Sequence, residues 1–202
     1  MIAASRPQRH ALVCRRGATE DRTMPTALFP LLIDPADWPL LAEPVRHLHG
    51  GTASLHARGV AQVDGARHPL ARLLRRVLGL PEPGADQAIA LSIDRADGRE
   101  TWTRRFANGR MRSTLERAPD GMHLHERLGP VSLYFELRRD GAAIDWQLRA
   151  GRLLGLPLPR AMFGRVFSRS LAEDGRYVFH IDTRLPLLGQ LIAYRGWLEV
   201  DA

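Results

Sequence analysis

Five dipeptides that favour tight turns, spaced from residue 97 to residue 175, constrain the fold of this 202-residue chain most strongly. They are Asp97-Gly98, Asn108-Gly109, Asp120-Gly121, Asp140-Gly141 and Asp174-Gly175. Both residues of such a pair accept positive φ, which the two-residue type I′ hairpin turn requires. Runs in which apolar and polar residues alternate flank these turns, as in Ile89, Leu91 and Ile93. The pattern predicts successive hairpins, and therefore an antiparallel meander with one apolar face.

The hairpin around Asn108-Gly109 predicts a core-facing surface that contains one arginine. Counting outward from a two-residue turn pairs Phe106 with Met111, Arg104 with Ser113, and Trp102 with Leu115. Side chains alternate along a strand, so these six residues are expected on one face. The opposite face is wholly polar. We therefore expect Arg104 to point toward the core.

The following hairpins extend the same apolar face. A two-residue loop at Asp120-Gly121 places Glu126 opposite Leu115 and Leu128 opposite Ser113. Met122, Leu124, Glu126 and Leu128 then point inward, and His123, His125 and Arg127 point outward. A turn at Asp140-Gly141 pairs Leu137 with Ile144, Phe135 with Trp146, and Leu133 with Leu148. Residues 151–159 form a loop or corner, two strands flank Asp174-Gly175, and a last strand runs from about Gln190 to Val200.

Two helical segments precede the meander. Asp34-Pro35 is a helix-start signal, because a capping carboxylate precedes a proline that is tolerated at the first helical position. Pro39 and Pro44 divide this segment into two short pieces, and Gly50-Gly51 ends it. Its apolar stripe consists of Trp38, Leu41, Val45 and Leu48.

A strand and a second helix follow. The strand covers residues 52–63, and Gly59 within it marks a bulge or a close approach of another backbone. Leu70, Leu73, Leu74, Val77 and Leu78 form the apolar stripe of the helix, which Gly79 closes. Its arginines, Arg72, Arg75 and Arg76, fall off that stripe and are expected in solvent.

These elements predict an α+β fold in a single domain over residues 24–202. Its centre is a strongly curved antiparallel meander, a half-barrel of roughly seven to nine strands, covered by the two N-terminal helical segments. Residues 1–23 have five Arg and no continuous apolar stretch, so we expect a disordered basic tail, with Met24 as a natural first residue.

Composition excludes several classes of protein. The net charge is +7 and all 29 basic residues are Arg, but they are scattered along the chain, so we expect no nucleic-acid binding. No apolar run reaches the roughly 18 residues that a membrane span needs. One cysteine, Cys14, rules out an internal disulfide framework and favours a cytoplasmic location.

Arg104 and Glu126 are the candidate site. Both are expected on the inner face of neighbouring strands, where an unpaired charge costs several kcal/mol. They are therefore expected to pair with each other. Two interpretations stay open: a structural ion pair, or a polar anchor for the carboxylate or carbonyl of a ligand in an apolar cavity. Tyr194 joins them, because an inward hydroxyl must find a partner.

Metal and cofactor signals are weak. His47/His49 and His123/His125 lack the other ligands of a zinc site, and we expect all four to be surface histidines. No dinucleotide-binding, phosphate-binding or nucleophile-elbow motif occurs, so we expect no cofactor.

Several short motifs resemble those of a bacterial family called domain of unknown function 4166. They are W-x-R-x-F at Trp102, Arg104 and Phe106, with a following Ser113; E-R-x-G at Glu126, Arg127 and Gly129; L-G-L-P-L-P at Leu154 to Pro159; Pro186, Gly189, Tyr194 and Gly196; V-R-x-L-H-G at Val45 to Gly50; and residues 71–81. The resemblance covers about Asp34 to Val200. Members of that family occur alone or attached to a Rossmann-type dehydrogenase domain, and the resemblance implies no particular activity.

Three functions follow as hypotheses. The first is a binding domain for a small hydrophobic or lipid-like ligand, contacted by Trp102, Arg104, Phe106, Ser113, Glu126 and Tyr194. The second, implied by the resemblance, is an accessory domain of a separate dehydrogenase. The third is an isomerase- or cyclase-like enzyme that uses Arg104, Glu126 and Tyr194. We expect a binding domain rather than an enzyme.

Overall fold

The computed structural model describes residues 27–51 and 53–201, so the tail expected over residues 1–23 lies outside the described part of the chain. The helices are α1 (Phe29–Leu32), a 3-10 helix (Trp38–Leu40), α2 (Glu43–Gly50), α3 (Pro69–Val77) and α4 (Arg160–Phe163). The first strands are β1 (Ser54–Gly65), β2 (Gly84–Ala96), β3 (Arg99–Phe106), β4 (Gly109–Arg117), β5 (Leu124–Leu128) and β6 (Val131–Asp140). The remaining strands are β7 (Ala143–Leu153), β8 (Leu156–Leu158), β9 (Arg165–Glu173), β10 (Arg176–Leu185) and β11 (Gly189–Val200).

The strands form one antiparallel sheet that closes into a barrel. Its order is β6-β5-β4-β3-β2-β1-β11-β10-β9-β7-β8, and β6 also pairs with β7. Ten strands thus form a ring, with β8 added beside β7. The antiparallel sheet and the α+β class are as expected, but the half-barrel of seven to nine strands is wrong. The ring closes because β7 pairs with β6 on one side and with β9 on the other, which leaves no open edge between them.

Two hairpin registers differ from the prediction by two residues. Phe106 pairs with Gly109, so the turn is Ala107-Asn108 and Arg104 lies opposite Met111. In the same way Asp140 pairs with Ala143, and Leu137 lies opposite Trp146 rather than Ile144. A shift of two residues keeps every side chain on its predicted face. The inward set was therefore correct although the pairs were wrong.

The other turns agree better with the prediction. Asp97-Gly98 and Asp174-Gly175 are two-residue turns with positive φ at both residues. Glu126 lies opposite Leu115 as expected. The loop between β4 and β5 is longer than the predicted two-residue turn and spans residues 118–123. The Asp120 carboxylate holds this loop by accepting hydrogen bonds from the backbone N–H groups of Met122 and His123. Met122 is consequently exposed, not inside.

Residues 151–159, which were expected to form a loop or corner, include a hairpin instead. β7 continues to Leu153, which pairs with Leu156 of β8 across Leu154-Gly155. Both turn residues have positive φ, at +52° and +83°. Leu154 and Leu156 of this hairpin are exposed.

Gly59 marks a close approach of backbones, as predicted. A Cβ placed there would lie 1.8 Å from the carbonyl oxygen of Trp197 on β11. The irregularity in the pairing of β1 with β2 lies further along, between Ala61 and Val63. The glycine therefore allows β1 and β11 to approach, and it is not the bulge.

The helices lie at opposite ends of the barrel and do not cover a sheet face. A closed barrel encloses its apolar face, so only its ends remain for helices to cover. The capped end contains α1, the 3-10 helix and α2, and Leu41, Val45 and Leu48 are buried there as expected. The N–H of Ala42 donates to the carbonyl oxygen of Ala142 in the turn between β6 and β7. The connections at that end are residues 27–53, 97–98, 118–123, 141–142 and 174–175. The open end contains α3 and α4, and its connections are residues 66–83, 107–108, 129–130, 154–164 and 186–188.

The orientation of α3 contradicts the predicted stripe. Arg75, expected in solvent, is buried and donates to the carbonyl oxygens of Leu80 and Pro81 and to the carboxylate of Glu82. Leu70, Leu73 and Val77 are more than half exposed instead. The chain that follows the helix supplies these acceptors, so the periodicity of the helix alone could not reveal them.

Within the described ranges, no helix combines the length and the apolar character needed to cross a bilayer.

Candidate functional site

The interior of the barrel contains a cavity of about 360 Å³. Its wall is mainly apolar and includes residues from most strands and from the open end of the barrel. Leu153 and Met162 line it and are 39% and 56% exposed, so the cavity opens to solvent at the open end. Its polar groups come from Arg104, Glu126, Ser168, Arg169, Ser170, Tyr177, Thr183 and Tyr194.

Aromatic rings close the cavity toward the capped end. Trp102 and Trp146 line it and meet edge to face, with centroids 6.3 Å apart. Phe29 of α1 packs against His49 at 3.9 Å and against Trp146 at 5.3 Å. The helices of the capped end therefore supply the floor of the cavity from behind the tryptophans.

A buried hydrogen-bonded cluster joins this floor to β9 and β10. His49 Nε2 lies 3.1 Å from Ser170 Oγ and 3.3 Å from Tyr177 Oη, and the two hydroxyls are 2.9 Å apart. Trp146 Nε1 also donates to Ser170 Oγ. Burial, with smaller contributions from Arg95 and Arg104, holds the pKa of His49 well below its ordinary value. A neutral His49 can therefore accept a hydrogen bond from one of these hydroxyls without placing a charge in the core.

Beneath the floor lies a buried ion pair that sequence analysis missed. Arg95 Nε donates to Glu100 Oε1 at 3.1 Å, and both side chains are 1% exposed. Glu100 also accepts from the N–H of Leu28 and from Trp102 Nε1, and Arg95 donates to the carbonyl of Leu48. The sequence contains the pattern that predicts this pair. A two-residue turn at Asp97-Gly98 places Arg95 opposite Glu100, and Glu100 lies two residues before the inward Trp102, so both point to the same face of the strand.

The predicted pairing of Arg104 with Glu126 is wrong. Both side chains line the cavity, but no ion pair joins them. Arg104 Nη1 donates to Ser113 Oγ at 3.1 Å, and its guanidinium lies 4.9 Å from the centroid of the Trp102 ring. The two-residue register difference between β3 and β4 moves Arg104 about 7 Å along the strand from its expected position. Glu126 makes neither a hydrogen bond nor an ion pair with any residue that the structure describes, that is, residues 27–51 and 53–201.

Tyr194 brings a third polar group to the cavity. Its ring meets Phe106 edge to face at 6.1 Å, and the residue is 7% exposed. Burial raises the pKa of Tyr194, the charge of Glu126 adds to this rise, and the charge of Arg104 opposes it. In the described part of the chain its hydroxyl has no hydrogen-bond partner. The expectation that an inward hydroxyl finds a protein partner is therefore wrong here.

The six predicted site residues do not all reach the cavity. Trp102, Arg104, Glu126 and Tyr194 line it, whereas Phe106 supports Tyr194 and Ser113 supports Arg104. The sequence did not single out Ser168, Ser170 or Tyr177, which follow from closure of the barrel through β9 and β10.

The histidines are placed differently from the expectation of four surface residues. His47 is exposed, but His49 is buried on the same helix. His125 lies on the outer face as expected, but it is buried between Glu116 and the ring of Tyr134. Among the described His, Cys, Asp and Glu residues, no three gather in an arrangement that could hold a metal ion.

Fold and site together define a class: a closed ten-stranded antiparallel barrel with an apolar internal cavity that is open at one end. The chain belongs to the family described as Domain of unknown function (DUF4166), whose model matches residues 41–198. This match confirms the family resemblance. No curated protein matches the chain.

Proposed function

We propose that the barrel binds one small hydrophobic or lipid-like molecule, with the polar group of that molecule held by Arg104, Glu126 and Tyr194. One observation carries this proposal: a mainly apolar cavity of about 360 Å³ receives a carboxylate and a hydroxyl that have no partner among the described residues. The volume lies within the range of about 300–1,000 Å³ that is typical of small-molecule sites.

The fold does not use two of the three polar groups. Within the described residues, the Glu126 carboxylate and the Tyr194 hydroxyl form no hydrogen bond, and neither group is fully sealed from solvent, so both can bind a polar group that enters the cavity. Glu126 and Arg104 each lie two residues from the strand end at the open end of the barrel. A ligand that enters from that end would bury its apolar part against Trp102 and Trp146. Its polar end would then remain beside Arg104 and Glu126.

A titration with a fatty acid tests this proposal, since its carboxylate matches Arg104 and its chain matches the apolar wall. The readout is energy transfer from Trp102 and Trp146 to a fluorescent conjugated fatty acid, with native mass spectrometry to count bound molecules. Arg104→Gln removes the charge inside the barrel, and Arg105→Gln removes one from the exposed outer face of the same strand. We expect Arg104→Gln to weaken binding about 10- to 100-fold, the worth of a charge-assisted hydrogen bond, and Arg105→Gln to leave it unchanged.

A second pair of variants defines the head group. Glu126→Gln is expected to strengthen fatty-acid binding, because it removes a like charge next to the ligand carboxylate. The same variant is expected to weaken binding of a fatty alcohol, which donates to that carboxylate. Equal binding by wild type and Arg104→Gln would refute the proposed anchor. A chain that binds neither probe would refute the proposed function.

Acid–base catalysis in the same cavity is a second candidate, because Arg104, Glu126 and Tyr194 all line one space. In this alternative, Glu126 removes a proton from a bound substrate and Arg104 stabilises the charge that develops on its oxygen. Chemical conversion of a bound ligand, lost in Glu126→Gln, would favour this alternative over simple binding. The dehydrogenase partner and the cytoplasmic location stay predictions.

A further inference from the structure

Exposed apolar side chains concentrate at the open end of the barrel. Eleven large apolar residues of the described chain are exposed, and eight of them lie there. These eight form the rim, and they are Leu70, Leu73, Val77, Leu153, Leu154, Leu156, Met162 and Leu187. Leu153 and Met162 also line the cavity, so the rim surrounds its mouth. An exposed apolar patch of this kind marks an interaction surface.

The rim side of α3 is an apolar helix face without a partner. Leu70, Leu73 and Val77 follow one another at spacings of three and four, and they are 59%, 58% and 67% exposed. Arg72 and Arg76 are exposed on the same helix. Apolar residues on one face with arginines beside them are typical of helices that lie in a membrane interface.

Two rim leucines occupy backbone positions that disfavour them. Leu154 and Leu187 have φ of +52° and +63°, and they are 78% and 101% exposed. Leucine at positive φ costs roughly 1–2 kcal/mol relative to glycine, and the exposed side chains recover nothing by packing within the chain. Three other non-glycine residues at positive φ in the described ranges are aspartates, which tolerate it. The two leucines are costly to the isolated chain, which suggests that their contacts lie outside it.

The connections at the two ends of the barrel have opposite net charge. The connections of the open end contain five arginines and one carboxylate, Glu82, which is paired with Arg75. The arginines are Arg67, Arg72, Arg75, Arg76 and Arg160. The connections of the capped end contain one arginine, Arg46, and six carboxylates, Asp34, Asp37, Glu43, Asp97, Asp120 and Asp174. The partner of the open end must therefore accept both apolar and cationic side chains.

We propose that the open end docks on the surface of an anionic lipid bilayer, with the rim in the interface and the mouth of the cavity facing the membrane. Leucines enter the acyl boundary, and exposed arginines contact anionic head groups. A second copy of the chain fits less well, because a symmetric contact would bring two sets of these arginines together. The docking surface stands on its own observations and does not require that the cavity be occupied.

Flotation of the full-length chain with vesicles tests the proposal. The vesicles contain phosphatidylcholine alone, or phosphatidylcholine and phosphatidylglycerol in equal amounts. We expect binding to the mixed vesicles that weakens with added salt, because surface charges are screened. Each arginine near an anionic surface contributes a factor of about five to binding, so Arg72→Gln is expected to weaken it about fivefold.

Two double variants with equal charge change separate the rim from the rest of the surface. Leu73→Asp with Leu154→Asp alters the open end, and Leu40→Asp with Met122→Asp alters the capped end, at side chains that are also more than half exposed. All variants retain residues 1–26, so the arginines of that segment contribute equally to vesicle binding in each of them. We expect the rim variant to lose flotation and the capped-end variant to keep it. Circular dichroism and thermal unfolding serve as the control that both variants are folded.

Besides a wild-type chain that does not bind anionic vesicles, three results would overturn the docking proposal. The first is flotation of the rim variant that equals wild type, and the second is an equal loss in both double variants. The third is a wild-type dimer in solution that the rim variant converts to monomer, since a second copy would then cover the surface. Fatty-acid titration without vesicles keeps the two proposals apart. A chain that binds either probe but not vesicles overturns only docking, and a chain that binds vesicles but neither the fatty acid nor the fatty alcohol overturns only the cavity ligand.

Discussion

Arg95 and Glu100 face each other across the hairpin of β2 and β3, with Arg95 Nε donating to Glu100 Oε1 at 3.1 Å. Both side chains are 1% exposed. The carboxylate also accepts from the N–H of Leu28 and from Trp102 Nε1, and the guanidinium donates to the carbonyl of Leu48. One ion pair thus joins α1, α2 and the floor of the cavity.

Removal of one partner is expected to destabilise the barrel strongly. Glu100→Ala leaves Arg95 charged in the core, and such a change costs about 3–5 kcal/mol. Urea unfolding measures the loss. The exposed pair of Arg99 and Glu116 on the adjacent strands provides the control, because Arg99→Ala is expected to cost less than about 1 kcal/mol. Similar losses in the two variants would contradict the special role of the buried pair.

His49 is expected to make the protein less stable at acidic pH. Its pKa in the folded state is well below the ordinary value because of burial. The contribution of neutral His49 to the free energy of unfolding is complete above the unfolded pKa of about 6.5. As the pH falls below that value, the unfolded chain takes up a proton at this residue, and the free energy of unfolding falls by up to about 1.4 kcal/mol per pH unit. Urea unfolding from about pH 7.5 to about pH 5 should show this slope. His49→Gln should reduce it, whereas the exposed His47→Gln on the same helix should not.

Tyr177 is expected to impose an opposite dependence at alkaline pH. Burial raises the pKa of Tyr177 to about 12. The unfolded phenol ionises near pH 10, so its contribution to stability is complete below about pH 10 and is lost as the pH rises toward 12. Tyr177→Phe removes this contribution, and its unfolding free energy should depend less steeply on pH above about 10. Tyr134→Phe is the control, and an unchanged slope in Tyr177→Phe would contradict the prediction.

Gly59 is expected to tolerate no side chain. A Cβ there would approach the carbonyl oxygen of Trp197 to 1.8 Å, and a backbone atom of the paired strand cannot rotate away. Gly59→Ala should therefore destabilise the barrel by about 1–3 kcal/mol or more, as overpacking does. His56→Ala, at an exposed position of the same strand, should change the unfolding free energy by less than about 0.5 kcal/mol. Wild-type stability in Gly59→Ala would mean that β1 and β11 can separate.

Leu154 is expected to be a position where stability and docking conflict. Asparagine accepts positive φ more readily, so Leu154→Asn should stabilise the fold by about 0.5–1 kcal/mol. The same variant removes an apolar side chain from the rim and should weaken flotation with anionic vesicles. Thermal unfolding and flotation of one sample measure both effects. A variant that is less stable than wild type would contradict the assigned backbone strain.

Local patterns in the sequence were sufficient for much of the architecture. Alternation with a period of two assigns each side chain to a face, so Trp102, Met111 and Leu124 were correctly expected inside. Turn chemistry located the hairpins, but the register at Ala107-Asn108 differed by two residues from the one that Asn108-Gly109 predicts. A shift of two leaves the faces unchanged, and therefore the pattern of burial could not correct it.

The sequence by itself determined most of the strands, the faces of the hairpins except at Met122, and the membership of Arg104, Glu126 and Tyr194 in one interior. These features follow from periodicity and turn preferences, which are local properties. Only the tertiary structure decided that the sheet closes, that His49 and Arg75 are buried, and that the rim of the open end is exposed. These outcomes depend on pairing and packing between segments far apart in the chain. No local pattern encodes which partner such a segment meets.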